Sequence, residues 1–409
     1  MSTSDKPLRL GYKHKKEQDI IANKYWNNTI LPLLNNGSLT HAVNNTYKYP
    51  NRIGLYPGLN CQFFCTFCGR NYDAKYERSI ADESLEVFKK IIDQDPKTDT
   101  NWQDRFRISG GLEPLTNPHI GEIIHYGNSQ GFKMQLYTNG YALTEKFVDK
   151  QLGLLDLEAM RVSLYGYDDD SYYAVTKNNK SYKMVINNLK NFCTRMSTSD
   201  KPLRLGVNWI ILPGHSNDIK KVFRMVKEIN SVSDFKISFI TLREDFSQSN
   251  NYISDVERST LHNIFLDIEE DCANDDDMKD LHIDYGYALY PVRHGLIQGP
   301  LKMANYEQMD GYGFPQVATA IDSLGNQYVY HESGFLDRPG SDRYIIGNIH
   351  NNSIEDIVKK HLKGPGIKPK PFDVGFLDAF DHTITLLVDE AKKSGNNWLE
   401  KLELKWNRI

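Results

Sequence analysis

Cys61-Gln62-Phe63-Phe64-Cys65-Thr66-Phe67-Cys68 places three of the chain's five cysteines within eight residues. Soft thiolates spaced CxxxCxxC are well placed to share one metal centre. Structural zinc and fully protein-bound iron–sulfur clusters take four ligands, so three leave one coordination position open. A zinc site completed by a remote histidine is the competing reading, although the nearest histidines are His41 and His119. A disulfide framework is disfavoured by the odd cysteine count and by an N-terminus without an apolar leader.

Outward from this stretch, short runs rich in β-branched and aromatic residues alternate with amphipathic ones. The runs are Arg52–Tyr56, Phe106–Ser109, Lys133–Tyr137, Met160–Leu164, Leu205–Leu212 and Lys236–Leu242. Between them, Leu85, Phe88, Ile91 and Ile92 keep helical spacing, as do Ile219, Val222, Phe223, Val226 and Ile229 behind an expected N-cap at Asn217. Ser254 and Glu257 predict a capping box. Six strand–helix units read as a parallel α/β sheet, closed or partly closed. In such folds reactive groups gather at the carboxyl ends of the strands. Those ends here are Gly54–Gly58, Ser109–Pro114, Tyr137–Gly140, Ser163–Gly166, Leu212–Gly214 and Arg243–Asp245.

Residues 1–50 predict a helical lead-in, 51–275 the α/β barrel region, and 276–409 an α+β extension. In the extension, Leu281–Leu289 alternates like a strand, and Gln316–Tyr330 reads as two strands around a Gly325-Asn326 turn. Tyr344–Ile349 is a further strand, Ser353–Val358 a helix, and one last helix runs from Ala379 past Trp398 to pack on the barrel. Composition is that of a globular protein, with 40% hydrophobic residues, 25% charged residues and a net charge of −4. Nothing in it points to nucleic acid, and no apolar run reaches membrane-spanning length. The expected location is the cytoplasm. Met1–Gly11 and Met196–Gly206 are the same eleven residues, MSTSDKPLRLG; no function is read from the repeat.

The CxxxCxxC spacing with Phe67 before the last cysteine resembles the signature of the radical S-adenosylmethionine (SAM) superfamily. The resemblance implies a partial (β/α)6 barrel and a [4Fe-4S] cluster on Cys61, Cys65 and Cys68. It also implies SAM on the open iron and reductive cleavage to a 5′-deoxyadenosyl radical, with electrons from a donor such as flavodoxin or ferredoxin. It places Gly110, Gly111 and Glu113 at the methionine end of SAM, and Thr138, Asn139 and Ser163 near its ribose and carboxylate. The bare backbone at Gly110-Gly111 reads as a place where a ligand can approach. Related enzymes carry further cluster cysteines in their extension. This chain has no cysteine beyond Cys272, so a small β-rich, cluster-free extension is expected, with Cys193 and Cys272 as plain thiols.

Tyr25–Leu33, Gly54–Gly58, Ser109–Pro118, Ser163–Gly166, Arg243–Asp245, Leu281–Leu289 and Leu324–Phe335 are similar to the radical SAM ammonia-lyases of deoxysugar biosynthesis. The chain departs from that pattern at Tyr141 and at His331, where the family has an arginine. The likeness implies ammonia elimination from a nucleotide-linked 4-amino-4,6-dideoxy sugar, dTDP-4-amino-4,6-dideoxy-D-glucose in the family. The alternatives are a radical SAM dehydrogenase or dehydratase on another nucleotide sugar, or a peptide or natural-product modifier. Radical chemistry of this kind needs an acid or base within hydrogen-bond reach. The candidates are Glu244, Asp245, Tyr330 and Glu332, with Arg243, Asp284 and Tyr285 on the substrate and Arg243 as a fork for its diphosphate.

Overall fold

The computed structural model describes residues 22–69, 74–244, 253–296, 313–335, 338–370 and 379–407. The strands are β1 (Arg52–Tyr56), β2 (Phe106–Ile108), β3 (Gln135–Thr138), β4 (Ala159–Leu164), β5 (Arg204–Ile211), β6 (Ile237–Glu244), β7 (His282–Asp284), β8 (Ala318–Asp322), β9 (Asn326–Tyr328) and β10 (Ile345–Asn348). They form one ten-stranded sheet, β10-β9-β8-β1-β2-β3-β4-β5-β6-β7. From β1 to β7 each strand lies parallel to the next, which demands a crossover between each pair. Helices Ile80–Asp93, Ile120–Ser129, Ser181–Met196, Ile219–Asn230 and Asp255–Ala273 lie on those crossovers. The sheet stays open, as a partial barrel does.

Alternation along the strands divides it into two faces. Ile53, Leu55, Phe106, Ile108, Leu136, Met160, Val162, Leu205, Val207, Ile240 and Leu242 are buried in the main core. Each such side chain contributes about 1.5–3 kcal/mol. The intervening positions, among them Arg52, Arg107, Gln135, Tyr137, Arg161, Ser163, Asn208 and Arg243, face inward and are largely polar.

The extension differs from its sequence reading in how it joins. β8 lies parallel on the free edge of β1, while β9 and β10 follow antiparallel around a turn at Gly325. The stretch 281–289 is not one strand. β7 ends at Asp284, whose Oδ1 accepts from Gly286 N (3.0 Å), and Gly286 at φ 55 turns the chain into helix Gly286–Arg293. The expected last helix is two, Ala379–Ser394 and Trp398–Trp406, broken at Gly395. They pack on the lead-in rather than on the barrel's main core. Tyr25, Trp26, Ile30, Leu33 and Leu39 share a separate core with Ile384, Leu387, Val388, Leu402 and Trp406.

Helix Ile219–Asn230 starts behind Asp218, not Asn217, and has no side-chain cap. At the next helix only half the capping box forms. Ser254 accepts from Glu257 N, but the Glu257 carboxylate crosses to Gly214 N (2.9 Å) and the Ser216 hydroxyl. The internal MSTSDKPLRLG copy covers the end of helix Ser181–Met196 and the entry to β5; the first copy, like Asp245, lies outside the described residues. Cys193 and Cys272 are buried among apolar side chains, which pushes their thiols up to about 12 and about 11.

Candidate active site

Beyond the carboxyl end of β1 the chain turns into the cysteine loop, which neighbouring elements hold from both sides. The Thr116 hydroxyl accepts from Leu59 N (2.9 Å) and Asn60 N (3.1 Å), while Asn60 O accepts from Glu113 N (2.8 Å). On the far side Phe64 N donates to Thr176 O (2.8 Å) and Thr66 N to Val175 O (3.1 Å). Phe63 meets Tyr141, Tyr165 and Tyr172 edge to face, and Phe67 stacks on Tyr165 with centroids 5.9 Å apart. Burial, and then Cys65 and Cys61 beside it, push the Tyr165 phenol well up.

The three cysteines ring a cavity of about 250 Å³ together with Phe67, Gly110, Gly111, Glu113, Thr138, Asn139, Ser163, Arg243, Glu244 and Glu332. None is in a disulfide. No three His, Cys, Asp or Glu side chains among the described residues converge tightly enough to hold a single metal ion. Three thiols spread around a cavity suit a multi-iron cluster better than one zinc, so the donor set fits the group that the resemblance implies.

Glu113 organises the wall beside them. It is 4% exposed, and its Oε1 accepts from Leu115 N (3.0 Å) and from the Thr138 hydroxyl. Its Oε2 accepts from Asn139 N (2.7 Å). Burial pushes this carboxyl up, opposed by those three donors. Asn139, thus fixed, points its Nδ2 at Cys61 Sγ (3.7 Å) and Gln62 Oε1 (3.3 Å). Glu113 therefore serves first as the tie between β2, β3 and the cysteine loop.

The glycines have a different cause from the one their spacing suggests. A Cβ on Gly110, at φ 111, would come within 2.1 Å of Tyr56 Cγ, and one on Gly111 within 2.9 Å of Phe335 Cα. Protein packing fills the space that a side chain would take. Tyr56 in turn donates to His331 O (2.7 Å), which anchors the segment carrying Glu332 and Phe335 over the cavity.

Other expected residues fall elsewhere. Glu244 reaches the cavity wall, but its carboxylate pairs with Arg258, and these two groups are 2% and 0% exposed. Burial pushes the Glu244 carboxyl up and Arg258 opposes it. Tyr330 is buried away from the cavity, donating to Ile367 O (2.9 Å) and packed on Tyr344. Tyr285 is buried in the helical layer and donates to Glu269 (2.6 Å); its phenol is pushed up by burial and by that carboxylate. Asp284 lines a second cavity with Lys24, Asn28, Thr29 and Tyr290. Sequence reasoning missed Tyr137, Tyr165, Phe335 and Arg338, which also line the main cavity. Tyr137 was legible in principle, since polar residues occupy alternate places in otherwise apolar strands.

The radical SAM superfamily profile matches residues 55–226. Over 384 residues, the chain is 33% identical to the dTDP-4-amino-4,6-dideoxy-D-glucose ammonia-lyase of Streptomyces venezuelae, covering 93% of this chain and 78% of the relative. The fold is similar to that of Streptococcus suis SuiB, with a TM-score of 0.52 and 14% identity over 76% of this chain and 65% of SuiB. SuiB bound to S-adenosylmethionine gives 0.51 and 13% identity over 85% and 81%.

Proposed function

The chain belongs to the radical SAM superfamily, working with a [4Fe-4S] cluster and S-adenosylmethionine, and from that premise we propose that it eliminates ammonia from a nucleotide-linked 4-amino-4,6-dideoxy sugar. The observation that carries the proposal is the extent of the likeness. One third identity to an ammonia-lyase runs through 93% of the chain, far beyond the cysteine segment. When bound, the cluster and SAM supply a 5′-deoxyadenosyl radical able to take a hydrogen atom from the sugar.

The chain's own residues then have three tasks. Cys61, Cys65 and Cys68 would hold the cluster, and the wall of Gly110, Gly111, Glu113, Thr138, Asn139 and Ser163 would orient SAM against it. The Phe67–Tyr165 stack and Phe335 keep water from the reacting carbon, because a sugar radical must be shielded from quenchers. A proton has to leave the hydroxyl on the radical carbon and another has to reach the departing amine. Glu332, whose side chain lines the cavity on the segment anchored by Tyr56, is our candidate for that transfer. A small electron-transfer protein such as flavodoxin or ferredoxin is the proposed donor. No helix among the described residues is long and apolar enough to cross a membrane.

The test is anaerobic. The reconstituted protein is given SAM, a reductant and dTDP-4-amino-4,6-dideoxyglucose, and 5′-deoxyadenosine and free ammonia are quantified. Equal, rising amounts of both are expected. Deoxyadenosine formed slowly and without ammonia would sink the ammonia-lyase reading and leave the superfamily assignment intact.

A further inference from the structure

On the inner face of the sheet, Arg243, expected from the sequence at the diphosphate, is joined by two further arginines, Arg107 and Arg161, that neither the spacing nor the family likeness singles out. Tyr137 on β3 pairs in register with Arg161 on β4; Arg107 on β2 pairs with Gln135; Arg243 on β6 pairs with Ile210. The Arg161 guanidinium lies 5.1 Å from the Tyr137 ring centroid and 4.8 Å from that of Phe239, and its Nη1 donates to Gln135 Oε1 (3.0 Å). Tyr137 and Arg243 line the main cavity; Arg161 lies beside Tyr137 on the neighbouring strand, and the Arg107 charge on β2 bears on the Tyr137 phenol.

The charge balance of this group is unusual for the molecule. Arg105 is paired with Asp95 and Asp99, Arg258 with Glu244, and Arg293 with Glu269. Arg107, Arg161 and Arg243 are half-buried and form no ion pair with any described carboxylate. The Arg107 Nε is buried without a hydrogen-bond partner. Asp284 is the carboxylate whose charge bears on Arg161. Burial raises the Tyr137 phenol, yet Arg107, Arg161, Arg52 and Arg243 together outweigh it and hold the group below its ordinary value. Guanidinium groups gathered in a partly desolvated space repel one another and are costly without an anion. Their planar forks match phosphate oxygens.

We infer that Arg107, Arg161 and Arg243, at inward positions of β2, β4 and β6 on either side of Tyr137, form a diphosphate subsite that holds the nucleotide end of the substrate on the inner face of the sheet. The inference rests on the nucleotide-sugar reading and adds where its charge is bound. A single carboxylate, such as that of SAM, would balance one of the three guanidinium groups. A diphosphate diester carries two negative charges spread over several oxygens, so it answers the cluster more fully. The cavity is lined by the cysteines and also by Tyr137 and Arg243, so a sugar joined to a diphosphate seated at those two residues would share the cavity with the cysteines.

The experiment is calorimetric titration of the reconstituted full-length protein with dTDP, with inorganic diphosphate and, separately, with SAM. Wild type is compared with Arg107→Gln, Arg161→Gln and the surface variant Arg204→Gln, whose parent arginine pairs with Glu158. Arg161→Lys keeps the charge without the fork and covers the case in which the glutamine variant fails to fold. Each interior glutamine variant should weaken dTDP binding about ten- to a hundredfold, the loss expected from one charged hydrogen-bonding partner. Arg161→Lys should fall between, and Arg204→Gln and all SAM affinities should stay within about twofold of wild type. Unchanged dTDP binding by the interior variants overturns the subsite, as does loss of SAM binding with dTDP binding kept. If wild type ignores dTDP but takes inorganic diphosphate in an Arg161-dependent way, the subsite stands and the nucleotide-sugar reading fails.

Discussion

The cysteine wall and the arginine floor meet at one cavity, which the floor reaches through Tyr137 and Arg243, and they are built on opposite terms. In the wall, polar groups satisfy one another. Glu113 takes three donors, and Asn117 gives its Nδ2 to Pro57 O (2.9 Å) and Ser84 Oγ (3.0 Å). On the floor, three guanidinium groups stand without carboxylates, and a buried Arg107 N–H goes unanswered. The wall is preorganised, so it can position a cofactor without rearranging. The floor holds positive charge that no described carboxylate pairs with directly, so an anionic ligand there would be favourable and substitution there should be cheap in stability.

The largest effect that tests this contrast is on the wall. Cys65→Ala should lose iron–sulfur absorbance and bring 5′-deoxyadenosine formation down to that of protein never given iron. An undiminished iron content would break the assignment of the wall. A second comparison sets arginine against arginine. Arg258→Met leaves Glu244 buried and unpaired and should cost about 3–5 kcal/mol in urea denaturation, largely restored in the Glu244→Leu/Arg258→Met double variant. Arg161→Met removes a charge that forms no ion pair with a described carboxylate, so it should cost far less in the same assay; a comparable loss would erase the distinction between the two arginines.

A subtler effect is expected at the hub of the wall. Glu113→Gln turns an amide N–H toward a backbone donor, Leu115 N or Asn139 N, and should cost about 1–3 kcal/mol. Weaker SAM binding should accompany the lower melting temperature; full SAM affinity in a destabilised variant would reduce Glu113 to scaffolding. The smallest effect is expected at Tyr330→Phe. Losing the hydroxyl to Ile367 O should cost about 1 kcal/mol and leave the deoxyadenosine rate unchanged. A fall in rate at unchanged stability would return Tyr330 to the site.

What the sequence revealed and concealed follows from the range of the forces involved. The six leading strands were legible to within one or two residues, because runs rich in β-branched and aromatic residues such as Leu205–Leu212 carry a local signal. The cysteine loop was legible because coordination chemistry is encoded in spacing. The arginines were hidden in plain view: Arg107 sits between Phe106 and Ile108, and Arg161 between Met160 and Val162, so each looked like a polar interruption of an apolar strand. Only the register between strands shows that they meet. The placement of β8 on the edge of β1 is likewise non-local, and Tyr330 and Glu332, two residues apart, go to a packing core and to the cavity respectively. The glycine pair was found for an incomplete reason, since its occupants, Tyr56 and Phe335, come from far away in sequence.

The pairing of β8 with β1 also has a consequence for how the protein is made. A ribosome delivers the cysteine loop long before residues 318–322 emerge, and until then the edge of β1 lacks the neighbour that covers it. The lead-in waits in the same way for helix Ala379–Ser394, the partner in its core. Contacts so distant in sequence form late. The nascent chain therefore passes through an interval in which its thiols are made and Glu332 and Phe335 do not yet cover them, an opening through which iron can be delivered during synthesis. Ribosome-bound chains halted before residue 318 should accept iron and sulfide faster than the released protein; equal rates would place cluster delivery after folding.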